Sequence, residues 1–234
     1  MIKRAYCLAA LALLMAHPAA AQRVSAELSA FGGLYLPVTD VSEMEEAFLD
    51  ELGSLIGVEL DKWTGKHKAG LALGGRVDLW FTEAFGVEGT FVYAFSSAET
   101  ELTGSDAGVP FSESADTSAY VWLASLKGLY RFRPQDGFNI HIGGGLALIS
   151  RGGNAYDYLS EGFGTDIEGL TDIGAVVNVG ATFDVAEKLA IRFDVEDYIY
   201  SAKPDLEGAD VDVFKSKLQL DLMLTGGMVL RLGG

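Results

Sequence analysis

Apolar residues alternate with polar or small residues in eight stretches of this chain. A period of two residues is typical of β-strands that turn one face to an apolar environment. Each stretch has roughly the 9–11 residues that a tilted membrane-crossing strand needs. The stretches are 24–38, 71–81, 86–95, 120–132, 138–148, 173–183, 189–198 and 218–232.

The connections between these stretches alternate between short and long, as they do in membrane barrels. The long ones span 38–67, 99–118, 152–172 and 202–216, and they hold 22 of the 33 acidic residues. We therefore expect these four segments to be solvated extracellular loops. In the first of them, Ser42 and Glu45 form a capping-box pattern. Apolar residues follow at helical spacing, which predicts a helix there: Met44, Ala47, Phe48, Leu52, Leu55 and Ile56.

A membrane barrel turns its apolar face outward, whereas a soluble barrel of the lipocalin type has the same alternation with the apolar face turned inward. The polar face repeatedly carries glycine, as a crowded interior requires, at Gly74, Gly86, Gly143, Gly145, Gly180 and Gly227. Aromatic residues gather at the strand ends, which predicts two interfacial girdles. One girdle comprises Phe81, Phe85, Tyr130, Phe132, Phe138 and Phe183, and the other comprises Tyr93, Phe95, Tyr120, Trp122, Tyr198 and Tyr200. The predicted fold is all-β: an eight-stranded antiparallel up-and-down transmembrane β-barrel with short periplasmic turns and long extracellular loops.

The N-terminus has the features of a secretory signal peptide. Lys3 and Arg4 precede an apolar run, and small residues follow up to a cleavage position after Ala21. We expect residues 1–21 to be the signal peptide and residues 22–234 to form one barrel domain. The single cysteine, Cys7, lies in the signal peptide, so the mature chain forms no disulfide.

Charge excludes nucleic acid as a partner. Without residues 1–21 the chain has 15 basic and 33 acidic residues, and nucleic-acid binding requires an excess of basic residues. The two remaining histidines, His67 and His141, belong to no catalytic triad or zinc motif. We therefore expect no cofactor, no metal site and no enzymatic activity.

In its signal peptide, eight strands, short turns and long acidic loops, the chain resembles the small outer-membrane β-barrel family that includes the OmpA transmembrane domain and OmpW. The C-terminal strand is similar to the signal that the barrel-insertion machinery reads in this family. Its polar residue, glycine and two hydrophobic positions match Thr225, Gly227, Leu230 and Leu232. The family's terminal aromatic residue is absent, because the chain ends in Leu232 and two glycines.

The resemblance implies a location in the outer membrane of a Gram-negative-type bacterium. It also implies contact with outer-membrane lipid, insertion by the assembly machinery and a monomeric state. An extracellular ligand would bind through the loops.

Both signs of charge meet on the predicted inner face, near the middle of the barrel. The lumen of eight strands is just wide enough for side chains to fill, so we expect a hydrogen-bonded network of ion pairs there. Its predicted members are Arg76, Asp78, Glu88, Lys127, Arg131, Arg192, Asp194 and Glu196. The favoured contacts are Arg76 with Glu88, and Arg192 with Asp194 or its neighbours.

The sequence leaves two functions open. The barrel is either a structural anchor with a plugged lumen and a contact surface in its loops, or a narrow passage for small or hydrophobic molecules, as resemblance to OmpW implies.

Overall fold

The computed structural model describes residues 24–135, 137–208 and 213–232. The proposed signal peptide and the last two glycines lie outside the described residues. Eight strands form a ring: β1 (Ser25–Pro37), β4 (Gly70–Trp80), β5 (Phe85–Asp106), β6 (Val109–Gln135), β7 (Phe138–Gly152), β9 (Thr171–Ala186), β10 (Leu189–Ala202) and β12 (Lys217–Leu232). The other elements are β2 (Ser42–Glu43), α1 (Glu46–Ile56), β3 (Glu59–His67), α2 (Asn154–Phe163), β8 (Ile167–Glu168) and β11 (Asp205–Leu206).

The ring is antiparallel, and the pairing of β1 with β12 closes it. A path that starts at Leu79 in β4 and moves from each residue to its paired residue on the next strand passes through β12 and reaches Leu36 in β1. Leu79 also pairs directly with Ala26 of β1, ten residues earlier in that strand. This offset is the shear of the barrel, and in an eight-stranded ring it tilts the strands by roughly 40°.

Side chains alternate between a packed interior and an exposed outer surface along every ring strand. In β10, for example, Arg192 and Asp194 are buried, whereas Phe193 is 55% exposed and Val195 is 41% exposed. The exposed positions are overwhelmingly apolar, as a lipid-facing surface must be. No helix in the described ranges is long and apolar enough to cross a membrane.

A folded cap covers the extracellular end of the ring. Strand β3 pairs with the upper part of β5, and α1 packs against β3. The buried core of this cap comprises Met44, Leu49, Leu60, Trp63, Val213 and Phe214. Because β5 and β6 continue as a hairpin to a turn at Ala107 and Gly108, segment 99–118 is an extended pair of strands. The segment is a long extracellular connection, as expected, but it is a regular hairpin and not an irregular loop.

The expected helix is present, but the predicted capping box is not. Helix α1 begins at Glu46, and Glu45 at its N-cap makes no side-chain capping hydrogen bond. Ser42 instead lies in β2, where it pairs with Gly65 of β3. Because Ser42 is held in a sheet three residues before the N-cap Glu45, its side chain does not cap α1.

Two residues that were assigned to the aromatic girdle near the long loops lie inside the barrel. Tyr198 and Tyr200 share the inward face of β10 with Arg192, and they are 0% and 3% exposed. The Tyr198 hydroxyl donates to Glu196 and the Tyr200 hydroxyl donates to Asp221. A buried phenol needs such an acceptor, which is why these tyrosines accompany inward-facing carboxyl groups.

Candidate functional site: the charged lumen

A cluster of charged side chains fills the lumen near its middle. It joins β4, β5, β6 and β10, because each of these strands directs charged residues to the inner face. Seven of the eight residues predicted from the sequence lie in it: Arg76, Asp78, Glu88, Lys127, Arg192, Asp194 and Glu196. Their side chains are at most 3% exposed.

Glu88 is the carboxylate that contacts all three cations of this cluster. Its Oε1 atom lies 2.6 Å from Lys127 Nζ and 3.6 Å from Arg76 Nε. Its Oε2 atom lies 2.6 Å from Arg192 Nη2. Thr90 donates a further hydrogen bond to Oε1 at 2.8 Å. Glu88 therefore links its own strand, β5, to β4, β6 and β10.

Asp194 and Glu196 are shared in the same way, and Asp78 pairs with Arg192 Nη1 at 3.0 Å. Asp194 lies 2.8 Å from Arg192 Nε, 3.1 Å from Arg76 Nη1 and 2.8 Å from His141 Nε2. Glu196 lies 3.3 Å from Arg76 and also contacts Lys127. Three cations thus face four carboxylates, and His141 hydrogen-bonds to one of them.

Glycines on the inner face make room for these large side chains. A Cβ atom on Gly180 would lie 2.3 Å from Asp194 Oδ1 and 2.5 Å from the His141 ring. A Cβ atom on Gly74 would lie 2.4 Å from the Phe31 ring, which itself stacks 3.9 Å from the Arg76 guanidinium. The small residues of the polar face are therefore required by close packing.

The structure does not bring Arg131 to this cluster. Its guanidinium lies 3.3 Å from Glu27 Oε2 and stacks 3.7 Å from the Trp80 ring, near the periplasmic mouth. Arg231 contacts Glu27 as well, and it also pairs with Asp184. Sequence reasoning missed this second network, although the inward position of Glu27 on β1 was a usable signal.

Above the central cluster, the inner face carries an apolar layer and then a third polar group. The apolar layer consists of fully buried side chains of Val92, Val121, Leu123, Ile149, Val176 and Met223. Beyond it, Tyr35 and Tyr200 donate to Asp221 Oδ2 at 2.9 and 2.7 Å. These residues were also missed, although their alternating positions indicated an inward face.

Two ionisable groups of the cap have strongly shifted pKa values. His67 Nε2 lies 2.8 Å from the Tyr156 hydroxyl of α2. Burial, assisted by the charge of Arg151, lowers the pKa of His67 to about 3. Hydrogen bonds from Lys217 and Lys215 lower the pKa of Glu43 in β2 to about 2. His67 is therefore neutral and Glu43 charged near neutral pH.

The residues of the predicted assembly signal occupy both faces of β12. Thr225 faces the lumen, where it accepts a hydrogen bond from Arg76 at 2.8 Å. Gly227 also faces inward, and a Cβ atom there would lie 2.4 Å from Ala30 O. Leu230 and Leu232 face outward and are 46% and 44% exposed.

A closed eight-stranded ring with an apolar outer surface and a charged interior defines an integral membrane β-barrel. The chain belongs to the outer membrane protein β-barrel domain family, whose model matches residues 7–221. The protein is therefore an outer-membrane protein of the Gram-negative type.

Solved structures show the same fold at low sequence identity. The crystal structure of the outer membrane protein OprG from Pseudomonas aeruginosa matches with a TM-score of 0.57 and 14% identity, covering 90% of this chain and 98% of OprG. The solid-state NMR structure of the outer membrane protein AlkL in lipid bilayers matches with a TM-score of 0.51 and 12% identity, covering 93% of this chain and 95% of AlkL. No curated protein sequence matches this chain.

Proposed function

We propose that this protein is a non-catalytic outer-membrane anchor whose lumen is plugged by the charged cluster and whose extracellular cap is its contact surface. The observation that carries the proposal is the set of ion pairs around Glu88, in which three cations and four carboxylates are almost fully buried. Removing one member of a buried, mutually paired set is costly. Side chains held so firmly do not readily move aside for a solute.

The layers on either side of the cluster support the same function. The Glu27 network lies between the cluster and the periplasmic mouth, and the packed apolar layer at Leu123 and Ile149 lies between the cluster and the Asp221 group on the extracellular side. An apolar constriction opposes the passage of ions by excluding water. A solute would have to displace all three layers to cross.

The test is the variant Glu88→Ala. It removes the carboxylate that contacts all three cations, and it leaves three carboxylates to pair with them. We expect a loss of about 3 kcal/mol in stability, the lower end of the range for breaking a buried pair. The measurement is the temperature at which the unheated gel mobility of the folded barrel is lost, together with current across a planar bilayer.

The matched control is Leu222→Ala, which removes a side chain from the lipid-facing surface of β12. A plug predicts that Glu88→Ala lowers the transition temperature more than Leu222→Ala does, while both barrels stay closed. New steady current from Glu88→Ala would instead favour a gated passage for small or hydrophobic molecules. If Glu88→Ala changes neither property, the proposed role of the cluster is wrong.

A further inference from the structure

One acidic residue lies on the lipid-facing surface of the barrel. Asp197 of β10 shares the outward face with Ile191, Phe193 and Val195. At the outward positions of the eight described ring strands, from one aromatic girdle to the other, every other side chain is apolar, aromatic, small or a hydroxyl. Asp197 is thus the only acidic or basic residue on this part of the described surface.

Asp197 lies within the apolar band, in its extracellular half. It is eight residues above Leu189, where β10 begins. At about 3.3 Å per residue and a tilt of roughly 40°, this places Asp197 about 20 Å above the periplasmic end of the strand. The apolar band of such barrels is about 25 Å tall, so Asp197 faces the outer leaflet.

The Oδ1 atom of the Asp197 carboxyl group is buried and has no hydrogen-bond partner among the described residues. The paired residues beside it are Val177 on β9 and Leu222 on β12, and neither side chain can donate a hydrogen bond. A polar group on a lipid-facing surface is costly unless it finds a partner.

An apolar groove of about 560 Å³ lies directly below Asp197 on the same outer face. Val195, Val179 and Leu224 line it next to Asp197, and each is two residues from Asp197 or from one of its paired neighbours. Farther down, the small residues Ala181 and Gly226 form its floor beside Phe193. Asp197 does not itself line the groove, but the upper end of the groove at Val195 is two residues, about 7 Å along the strand, from Asp197.

We propose that Asp197 and this groove form a binding site for one outer-leaflet lipid whose acyl chain begins with an amide N–H or a hydroxyl group. The apolar chain occupies the groove, and the donor at the head of the chain hydrogen-bonds to Asp197. Lipid A has this chemistry, because its chains are amide-linked and hydroxylated near the sugar. Phosphatidylcholine has no such donor.

The experiment measures binding of lipid A to the refolded full barrel in detergent micelles by native mass spectrometry, with phosphatidylcholine as the reference lipid. We expect one tightly retained lipid A. Asp197→Leu should weaken its retention about tenfold, and Asp197→Asn, which keeps a carbonyl acceptor, should retain most of it. Gly226→Leu, which fills the groove, should weaken retention to a similar degree.

The matched control is Gly89→Leu, which adds the same side chain to the lipid-facing surface of β5, where a Cβ atom meets nothing within 4 Å. This variant should bind lipid A as the wild type does. Equal retention of lipid A by wild type and Asp197→Leu would overturn the proposal, as would equal retention of phosphatidylcholine and lipid A by the wild type. Unchanged binding by Gly226→Leu would overturn the assignment of the chain to the groove. Unheated gel mobility verifies that each variant is folded.

Discussion

At the residue scale, the alternation of side chains predicted which residues face the lumen, but not at which depth they meet. Lys127 and Arg131 both face inward from β6, yet Lys127 contacts Glu88 whereas Arg131 contacts Glu27. Four residues along a tilted strand correspond to about 10 Å of depth. The shear that sets the partners at each depth arises from the closed ring and is not visible in a single strand.

Asp197 is a second residue whose surroundings could not be predicted from the alternation along its own strand. Asp197 is in step with Phe193 and Val195 in the alternation of β10 and out of step with Asp194 and Glu196. This phase can be read from the sequence, but the depth of Asp197 in the membrane and the groove beside it cannot.

The C-terminal assembly signal is also tested at the residue scale. In the double variant Gly227→Asp with Leu232→Asp, the first change forces a side chain against the backbone of Ala30 and Phe31 in β1. The second places one on the lipid-facing surface, where a charge costs up to a few kcal/mol depending on depth. We expect insertion to be blocked, measured as the yield of folded protein in outer-membrane fractions. Unchanged yield would contradict the proposed signal.

At the element scale, the ring strands were predictable because one face of each is lipid-facing and the other is polar. The cap was less predictable, because its strands carry no such contrast. Segment 99–118 is rich in acidic residues and was therefore assigned to a loop, but it extends β5 and β6 into water, where charged residues face solvent on a regular sheet. Helix α1 was found from its apolar spacing, whereas its start depended on a tertiary pairing of Ser42.

The contact between His67 and α2 predicts a pH dependence of the cap. When α2 is packed against His67, a state that we call the closed cap, the pKa of His67 is about 3, against its ordinary value of 6.5. The closed cap therefore has its full stability above pH 6.5. As the pH falls from 6.5 towards 3, closure loses up to about 1.4 kcal/mol per pH unit, because the open cap binds a proton that the closed cap excludes.

This prediction is measured with a cysteine at Ala155, which is 6% exposed in α2. We expect the modification of Ala155→Cys by a disulfide reagent active in acid to accelerate from pH 7 to pH 4, relative to the exposed control Asp157→Cys. Adding His67→Gln should remove most of this acceleration. An equal acceleration with and without His67 would rule out its role.

At the scale of the whole molecule, the ring of eight strands has no free edge, so its backbone hydrogen bonds are satisfied within the barrel. We expect the mature protein to require detergent or lipid. We also expect it to migrate faster on a gel when unheated than when boiled, because the closed ring resists unfolding by detergent. A mature protein that is soluble and monomeric in plain buffer would contradict this account.

The central claim is that the charged cluster closes the lumen, and the most direct measurement is the current that the wild-type barrel passes across a planar lipid bilayer. Correct insertion is verified first by unheated gel mobility of the same preparation. The ion pairs around Glu88 and the apolar layer above them predict no steady openings at neutral pH. Steady, reproducible openings of the inserted wild-type protein would contradict the plugged lumen.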